Sequence, residues 1–208
     1  MQINSGLRSV LAWPLVYRLL NRAIGNEKFR RWFIERIVAV KSGQTLVDLG
    51  CGPADILADL DAGVRYIGLD ISEAYIEAAR QRHGERGLFV AGTVESWRCD
   101  PRLHDADVVL AYGLFHHVDD DETLAIFRFA RDVLRPGGRF VFLEPCLLVW
   151  QARRSVFMMA QDRGQNVRTE EAWKRLIHAV FPAATTSVVT NANRLGYTHI
   201  IAECRKDS

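Results

Sequence analysis

The chain has 208 residues, of which 49% are hydrophobic, and its formal net charge is +2 at pH 7. This length predicts one domain over residues 1–208 with a full hydrophobic core. Because 27 basic residues nearly balance 25 acidic ones, the charge gives no sign of a nucleic-acid partner. The four cysteines (51, 99, 146 and 204) lack C-x-x-C spacing. We therefore expect no metal site, no disulfide framework, and reduced thiols in the cytoplasm.

The N-terminal part of the chain is apolar and basic between Leu7 and Ile24, and Pro14 interrupts it. We expect residues 1–40 to form a helical lid over a ligand cleft. The alternative is that residues 7–24 lie on a membrane surface and reach a lipid-linked substrate. Apolar spacing predicts a helix from Asn26. We expect neither a secretory signal nor a membrane span.

The stretch Thr45–Asp55 predicts a strand, a glycine turn and then a helix. Its first five residues are a buried β-strand pattern. Gly50 and Gly52 end the strand, and Pro53 suits the first position of a helix. Such a unit brings backbone close to a ligand at the carboxyl end of a strand in a doubly wound sheet.

The charges around this turn predict which ligand it binds. A dinucleotide fingerprint needs a third glycine three residues after the second, and Asp55 stands there. Asp48 and Asp55 would repel a pyrophosphate and suit a cation. Asp70, after a second predicted strand, is placed to bind both ribose hydroxyls. A nucleoside with a positive charge and no pyrophosphate points to S-adenosylmethionine.

The remaining elements alternate between strands and helices. Ser72 is the predicted cap of a helix that ends near Arg82, and Leu88–Ala91 and Asp107–Ala111 are predicted strands. The acidic run Asp119–Glu122 is interpreted as the start of a helix rather than a metal cluster. Pro136-Gly137-Gly138 ends that helix, and Phe140–Leu143 forms the fifth strand. Thr169 caps a last helix, before an antiparallel pair over Thr185–Thr190 and Tyr197–Cys204.

These motifs together resemble the class I S-adenosylmethionine-dependent methyltransferases, and in particular their small-molecule branch. The resemblance rests on Asp48–Pro53, Gly68–Ser72, Asp107–Leu110, Leu114–Val118 and Leu134–Phe140, which stand in the family's order. It implies an α/β, doubly wound, Rossmann-like fold with a seven-stranded, mainly parallel sheet and an antiparallel C-terminal strand.

The resemblance also implies a set of cofactor-binding residues at the carboxyl ends of the first four strands. These are Asp48, Gly50, Cys51, Gly52, Asp55, Asp70, Ile71, Gly92, Thr93, Val94 and Ala111. Thr93 stands where the family has an acidic residue that accepts a hydrogen bond from the adenine amino group, so here the hydroxyl would accept that bond without a charge.

The resemblance places the acceptor near Tyr112. His117, His116 and Glu144 are candidate bases for the acceptor hydroxyl, with Glu144 expected at the pocket rim. A packed, hydrogen-bonded role for the histidines is an equal alternative. Residues 146–168 are an expected acceptor-site insertion, in which Arg163 and Arg168 would bind an anionic or polar acceptor. The alternative is a solvated loop with internal hydrogen bonds.

The function expected from the sequence is methyl transfer to a small molecule, with an oxygen of a sugar, glycolipid or secondary metabolite as the preferred acceptor. Because the sulfonium is already activated, alignment is the enzyme's main task. The alternatives are a nicotinamide-dependent oxidoreductase, a non-catalytic methyltransferase-like module that binds the cofactor or a partner, and a nucleic-acid methyltransferase. We expect a monomer or a homodimer.

Overall fold

The computed structural model describes residues 26–98, 100–148, 166–190 and 197–207. In this part of the chain the strands are β1 (Thr45–Leu49), β2 (Arg65–Asp70), β3 (Gly87–Ala91), β4 (Ala106–Tyr112), β5 (Leu134–Leu147), β6 (Arg168–Thr169), β7 (Thr185–Val189) and β8 (His199–Arg205). The α-helices are α1 (Asn26–Phe33), α2 (Glu73–His83), α3 (Val94–Trp97), α4 (Asp120–Val133) and α5 (Glu170–His178).

The sheet confirms the predicted topology. Seven strands follow the order β3-β2-β1-β4-β5-β8-β7, and the two-residue β6 pairs with β5 beside this path. β1 to β5 are parallel, whereas β8 runs antiparallel to β5 and β7. The chain proceeds outward from β1 through β2 to β3 and then returns to β4 on the other side of β1. That reversal opens a crevice at the carboxyl ends of β1 and β4.

The hydrophobic core lies on both faces of the sheet, because consecutive residues of a strand point to opposite faces. On one face, Val109, Phe140 and Phe142 pack against residues of α4 and α5. On the other, Leu110, Val141 and Leu143 pack with residues of α1 and α2. A strand buried on both sides explains why Asp107–Ala111 has a continuous apolar pattern.

The predicted caps are confirmed at three helices. The side chains of Ser72, Asp119 and Thr169 accept hydrogen bonds from the backbone N–H groups of Tyr75, Glu122 and Ala172. The run Asp119–Glu122 therefore begins α4, as predicted. Among the described residues no group of three or more His, Cys, Asp or Glu side chains is arranged to hold a metal ion. None of the described helices is long and apolar enough to cross a membrane.

Two boundaries differ from the prediction. No helix begins at Pro53: Ala54 adopts a left-handed conformation with φ of 56°, and only a short 3-10 helix, Asp55–Asp59, follows. The fifth strand is also longer than Phe140–Leu143, since β5 starts at Leu134 directly after α4. The segment Pro136-Gly137-Gly138 lies within this strand and does not interrupt it, because Gly137 takes a positive φ of 71° and its N–H donates to the Lys206 carbonyl.

We predict that Phe115→Ala lowers the free energy of unfolding by about 3–5 kcal/mol, because the ring is fully buried and its removal leaves a cavity. The Phe115 ring packs edge-on against Phe127 and Phe142, with centroids 5.0 and 5.3 Å away. Urea unfolding measures the loss. Trp32→Ala is the control, since Trp32 is 39% exposed. Equal losses in the two variants would contradict this packing.

Candidate active site

The glycine corner (Gly50–Gly52) turns the chain away from β1 at the crevice. Gly50 and Gly52 have positive φ of 69° and 53°, which a residue without a Cβ adopts at low cost. A Cβ on Gly50 would lie 2.8 Å from Cδ1 of Leu114, so this glycine permits close packing. A Cβ on Gly52 would have no atom within 4 Å. The corner is therefore packed on one side and open on the other.

Asp70 ties the glycine corner to the end of β2. One carboxylate oxygen accepts the Gly52 N–H at 2.9 Å, and the other accepts the Ser72 N–H at 2.8 Å. A carboxylate has about four acceptor sites, so two remain for ligand hydroxyls. The geometry is compatible with the predicted binding of ribose by Asp70, which stays a prediction.

Asp48 is buried beneath the corner with only 1% of its surface exposed. Burial raises the pKa of its carboxyl from 3.8 to about 7; the hydroxyl of Tyr66, which donates to it at 2.6 Å, opposes this, and the negative charge of Asp70 adds to it. Sequence reasoning missed Tyr66. The signal was available, because Tyr66 and Asp48 both lie on strand positions that face the same side of the sheet.

Asp55, which the charge argument placed beside the turn, forms an ion pair with another side chain. Its carboxylate pairs with the guanidinium of Arg82 on α2. The two acidic groups close enough to influence each other at the corner are Asp48 and Asp70. Asp48 and Asp70 therefore form the acidic pair of the corner, and the cofactor-binding role predicted for Asp55 stays a prediction.

The other predicted cofactor residues border the crevice unequally. Ile71 is 75% exposed directly after Asp70, whereas the Ala111 methyl group is fully buried. Thr93 is exposed, and its N–H bonds the Ser96 hydroxyl. Gly92 donates its N–H to the Asp70 carbonyl, and Val94 begins α3. Burial and the nearby Asp48 and Asp70 raise the pKa of the Cys51 thiol far above its usual range, so we expect Cys51 to be an unreactive thiol.

The histidine turn (Leu114–Val118) follows β4 and contains the 3-10 helix Phe115–His117. Glu144, at the end of β5, is fully buried beneath this turn rather than at a pocket rim. Its Oε1 accepts the N–H groups of Leu114 and Phe115 at 2.5 and 2.7 Å, and its Oε2 accepts the N–H and Nδ1–H of His116 at 3.2 and 2.8 Å. All four acceptor sites are used, which argues against Glu144 as a base.

The two histidine rings lie side by side with centroids 4.0 Å apart. His116 is buried, and its Nδ1 is fixed by Glu144, so the Nε2 of a neutral His116 lacks a proton. His117 is half-buried and is the less buried residue of the pair, and the Nδ1 atom of its ring is buried. Tyr112, at the end of β4, is also half-buried and packs against Phe33 of α1.

Arg168 is not available to an acceptor. It is 7% exposed, and its five N–H donors bond to Asp120, Phe115, Asn166, Val118 and Thr123 within the protein. The predicted substrate role is wrong for this residue because no donor remains. The predictions for Arg163, for residues 7–24 and for most of the insertion 146–168 fall outside the described residues.

Comparison with known proteins adds the family. Residues 46–138 match a family model described as a methyltransferase domain. This match supports the resemblance to the class I S-adenosylmethionine-dependent methyltransferases that the sequence motifs indicated. The matched residues include the glycine corner, Asp70 and the histidine turn. The family match therefore covers these motifs, on which the resemblance in sequence also rests.

One curated relative is named as a C-methyltransferase. A ubiquinone/menaquinone biosynthesis C-methyltransferase from Pseudomonas entomophila is 31% identical over 140 residues, which are 62% of this chain and 53% of the relative. The chain thus spans about half the length of that curated relative.

Solved structures show the same fold. A phosphoethanolamine N-methyltransferase 2 from Haemonchus contortus has a TM-score of 0.71 at 15% identity, covering 89% of this chain and 54% of that one. The mitomycin 7-O-methyltransferase MmcR has a TM-score of 0.65 at 22% identity, covering 93% and 58%.

We predict that Asp48 makes the unliganded methyltransferase domain less stable at pH 8 than at pH 5. Since its folded pKa of about 7 exceeds 3.8, its contribution to stability is complete below pH 3.8 and is lost as pH rises through 7. Of this loss, about 2–3 kcal/mol falls between pH 5 and 8, and Asp48→Asn should remove it.

Urea unfolding of the wild type and Asp48→Asn at both pH values measures this difference. The exposed Asp121→Asn is the matched control and should follow the wild type. A wild-type pH dependence that Asp48→Asn leaves intact would rule out Asp48 as its source.

Proposed function

We propose that this protein transfers the methyl group of S-adenosylmethionine to an oxygen of a small-molecule acceptor, such as a sugar, glycolipid or secondary metabolite. The observation that carries the proposal is the position of the histidine turn. It contacts the glycine corner through Leu114 and Gly50, and it presents the half-buried His117 beside the end of β4. We propose that the glycine corner and the His117 imidazole line the same crevice.

The residues of the corner fit the proposed cofactor. Gly52 leaves open space where the backbone can approach a ligand, Asp70 has acceptor sites left for ribose hydroxyls, and Ile71 offers an exposed apolar surface for a planar base. Asp48 and Asp70 favour a positive charge because a nearby cation stabilises the ionised form of a carboxyl group. The same pair would oppose the phosphates of a dinucleotide.

The bound cofactor supplies an activated methyl group with a good leaving group. The protein then has two tasks, which are to align the acceptor with that methyl group and to manage the acceptor's proton. We assign the second task to His117, because it is the less buried residue of the two histidines. His116, held through Nδ1 by Glu144, supports that ring from inside the protein.

A carbon acceptor is the second candidate, because the curated relative described above is a C-methyltransferase. A product assay separates the two. Protein is incubated with S-adenosylmethionine carrying a ¹³C-methyl group and with panels of sugars, phenols, glycolipids and carboxylic acids. The methyl carbon shift of the product distinguishes methyl on oxygen from methyl on carbon.

The labelling assay has a mechanistic control in His117→Gln. We expect O-methyl product from the wild type and at least a tenfold lower turnover in His117→Gln, since removing a general base typically costs about 10²–10⁴-fold. Carbon-bound label would favour the second candidate. Cofactor binding without label transfer to any panel would instead support a non-catalytic module.

We predict that Asp70→Asn weakens S-adenosylmethionine binding about tenfold or more, because it removes a charge and one acceptor from the ribose site. Asp55→Asn should bind nearly as the wild type does, since the carboxylate of Asp55 is already paired with Arg82. Isothermal titration calorimetry compares the two variants. Equal losses would return Asp55 to the cofactor site and reject the assignment to Asp70.

A further inference from the structure

The histidine turn is bound at both ends by buried, oppositely charged side chains. Its first amide N–H groups point toward the Glu144 carboxylate, and its carbonyl groups point toward the Arg168 guanidinium. N–H groups at the start of a helical turn carry partial positive charge, and carbonyl groups at its end carry partial negative charge. Each charged side chain therefore meets the complementary end of the turn.

Arg168 is a rigid contact rather than a surface ion pair. Its guanidinium donates to the carbonyls of Phe115 and Val118 at 2.8 and 2.9 Å. It also donates to Asp120 at 2.7 Å and lies 4.9 Å from the centre of the Trp173 ring. A planar fork of five donors is needed to reach all of these groups at once, which lysine does not possess.

His117 lies between these two contacts. Glu144 fixes the backbone up to residue 116, Arg168 fixes the carbonyl of Val118, and the His117 N–H donates to the Leu114 carbonyl at 3.1 Å. The Asn166 N–H also donates to the His116 carbonyl, and this hydrogen bond joins the turn to the segment that carries Arg168. The backbone of His117 therefore has little freedom to rotate.

We propose that Glu144 and Arg168 are positioning residues, which clamp the histidine turn from its two ends and so orient the His117 ring toward the acceptor. The proposal rests on the role of His117 in the proposed function. The sequence pattern suggests Glu144 as a base and Arg168 as a residue that binds the acceptor. In this proposal both residues position His117 instead, and neither touches the reacting atoms.

The orientation of His117 can be measured without an acceptor. The chain has six histidines, so the Cε1–H signals of their rings can be resolved by NMR and the His117 signal assigned from His117→Gln. In Arg168→Lys at fixed pH we expect the His117 signal to shift or split, while that of His83 stays in place. Arg139→Lys is the matched control.

Arg139 also donates to two backbone carbonyls, those of Ile37 and Val38, but it lies in the first half of β5, whereas Arg168 pairs with Cys146 near the carboxyl end of that strand. Both lysine variants should lose thermal stability, and only Arg168→Lys should move the His117 signal. If the two variants lose stability alike and the His117 signal stays unchanged in both, the role of Arg168 is structural alone and the proposal is overturned.

A milder pair of variants covers the case in which Arg168→Lys does not fold. Asp120→Asn removes the negative charge that pairs with the Arg168 Nε, whereas Asp121→Asn makes the same charge change in the same turn of α4. We expect a His117 shift in the first and none in the second. Equal responses would overturn the clamp, and a His117 response without any methyl transfer would reject the proposed function instead.

Discussion

Two acidic side chains meet at one glycine corner, and their placement there is the constraint on which the rest of this site depends. Asp48 is buried under the corner and Asp70 closes it from β2. Burial disfavours a negative charge on Asp48, and repulsion by Asp70 adds to that effect. The fold tolerates this because Tyr66 donates to Asp48 and backbone N–H groups donate to Asp70. A positively charged nucleoside relieves the repulsion, whereas a diphosphate increases it.

The second half of the site is coupled to the first through packing. Leu114, the first residue of the histidine turn, fills the space that a side chain on Gly50 would occupy. The histidine turn therefore packs directly against the glycine corner. Its backbone is fixed from the interior by Glu144 and Arg168. In the proposed function, this turn presents a preorganised imidazole to the acceptor.

The sequence predicted the sheet and the corner well because those features depend on local patterns. Continuous apolar runs identify strands buried on both faces, and two glycines followed by an acidic residue at Asp70 identify the turn and its neighbour. The helix caps at Ser72, Asp119 and Thr169 were equally local. The prediction of a helix that starts at Pro53 was wrong, because Ala54 adopts a left-handed conformation there. No sequence rule identifies an alanine in that conformation.

The roles of the side chains in the site were harder to predict, since they depend on partners that are distant in the sequence. Glu144 reads as an exposed acid at a strand end, but its four bonds come from residues 28 to 30 positions away. Arg168 reads as an anion-binding arginine, but most of its partners lie 45 to 53 positions away. Spacing alone does not show that such groups face each other across the fold.

The charge preference of the corner is tested most directly by calorimetric titration of the protein with S-adenosylmethionine and, separately, with NADH. The account predicts saturable binding of S-adenosylmethionine and no measurable binding of NADH, because Asp48 and Asp70 repel the pyrophosphate. Tight NADH binding with no uptake of S-adenosylmethionine would contradict it.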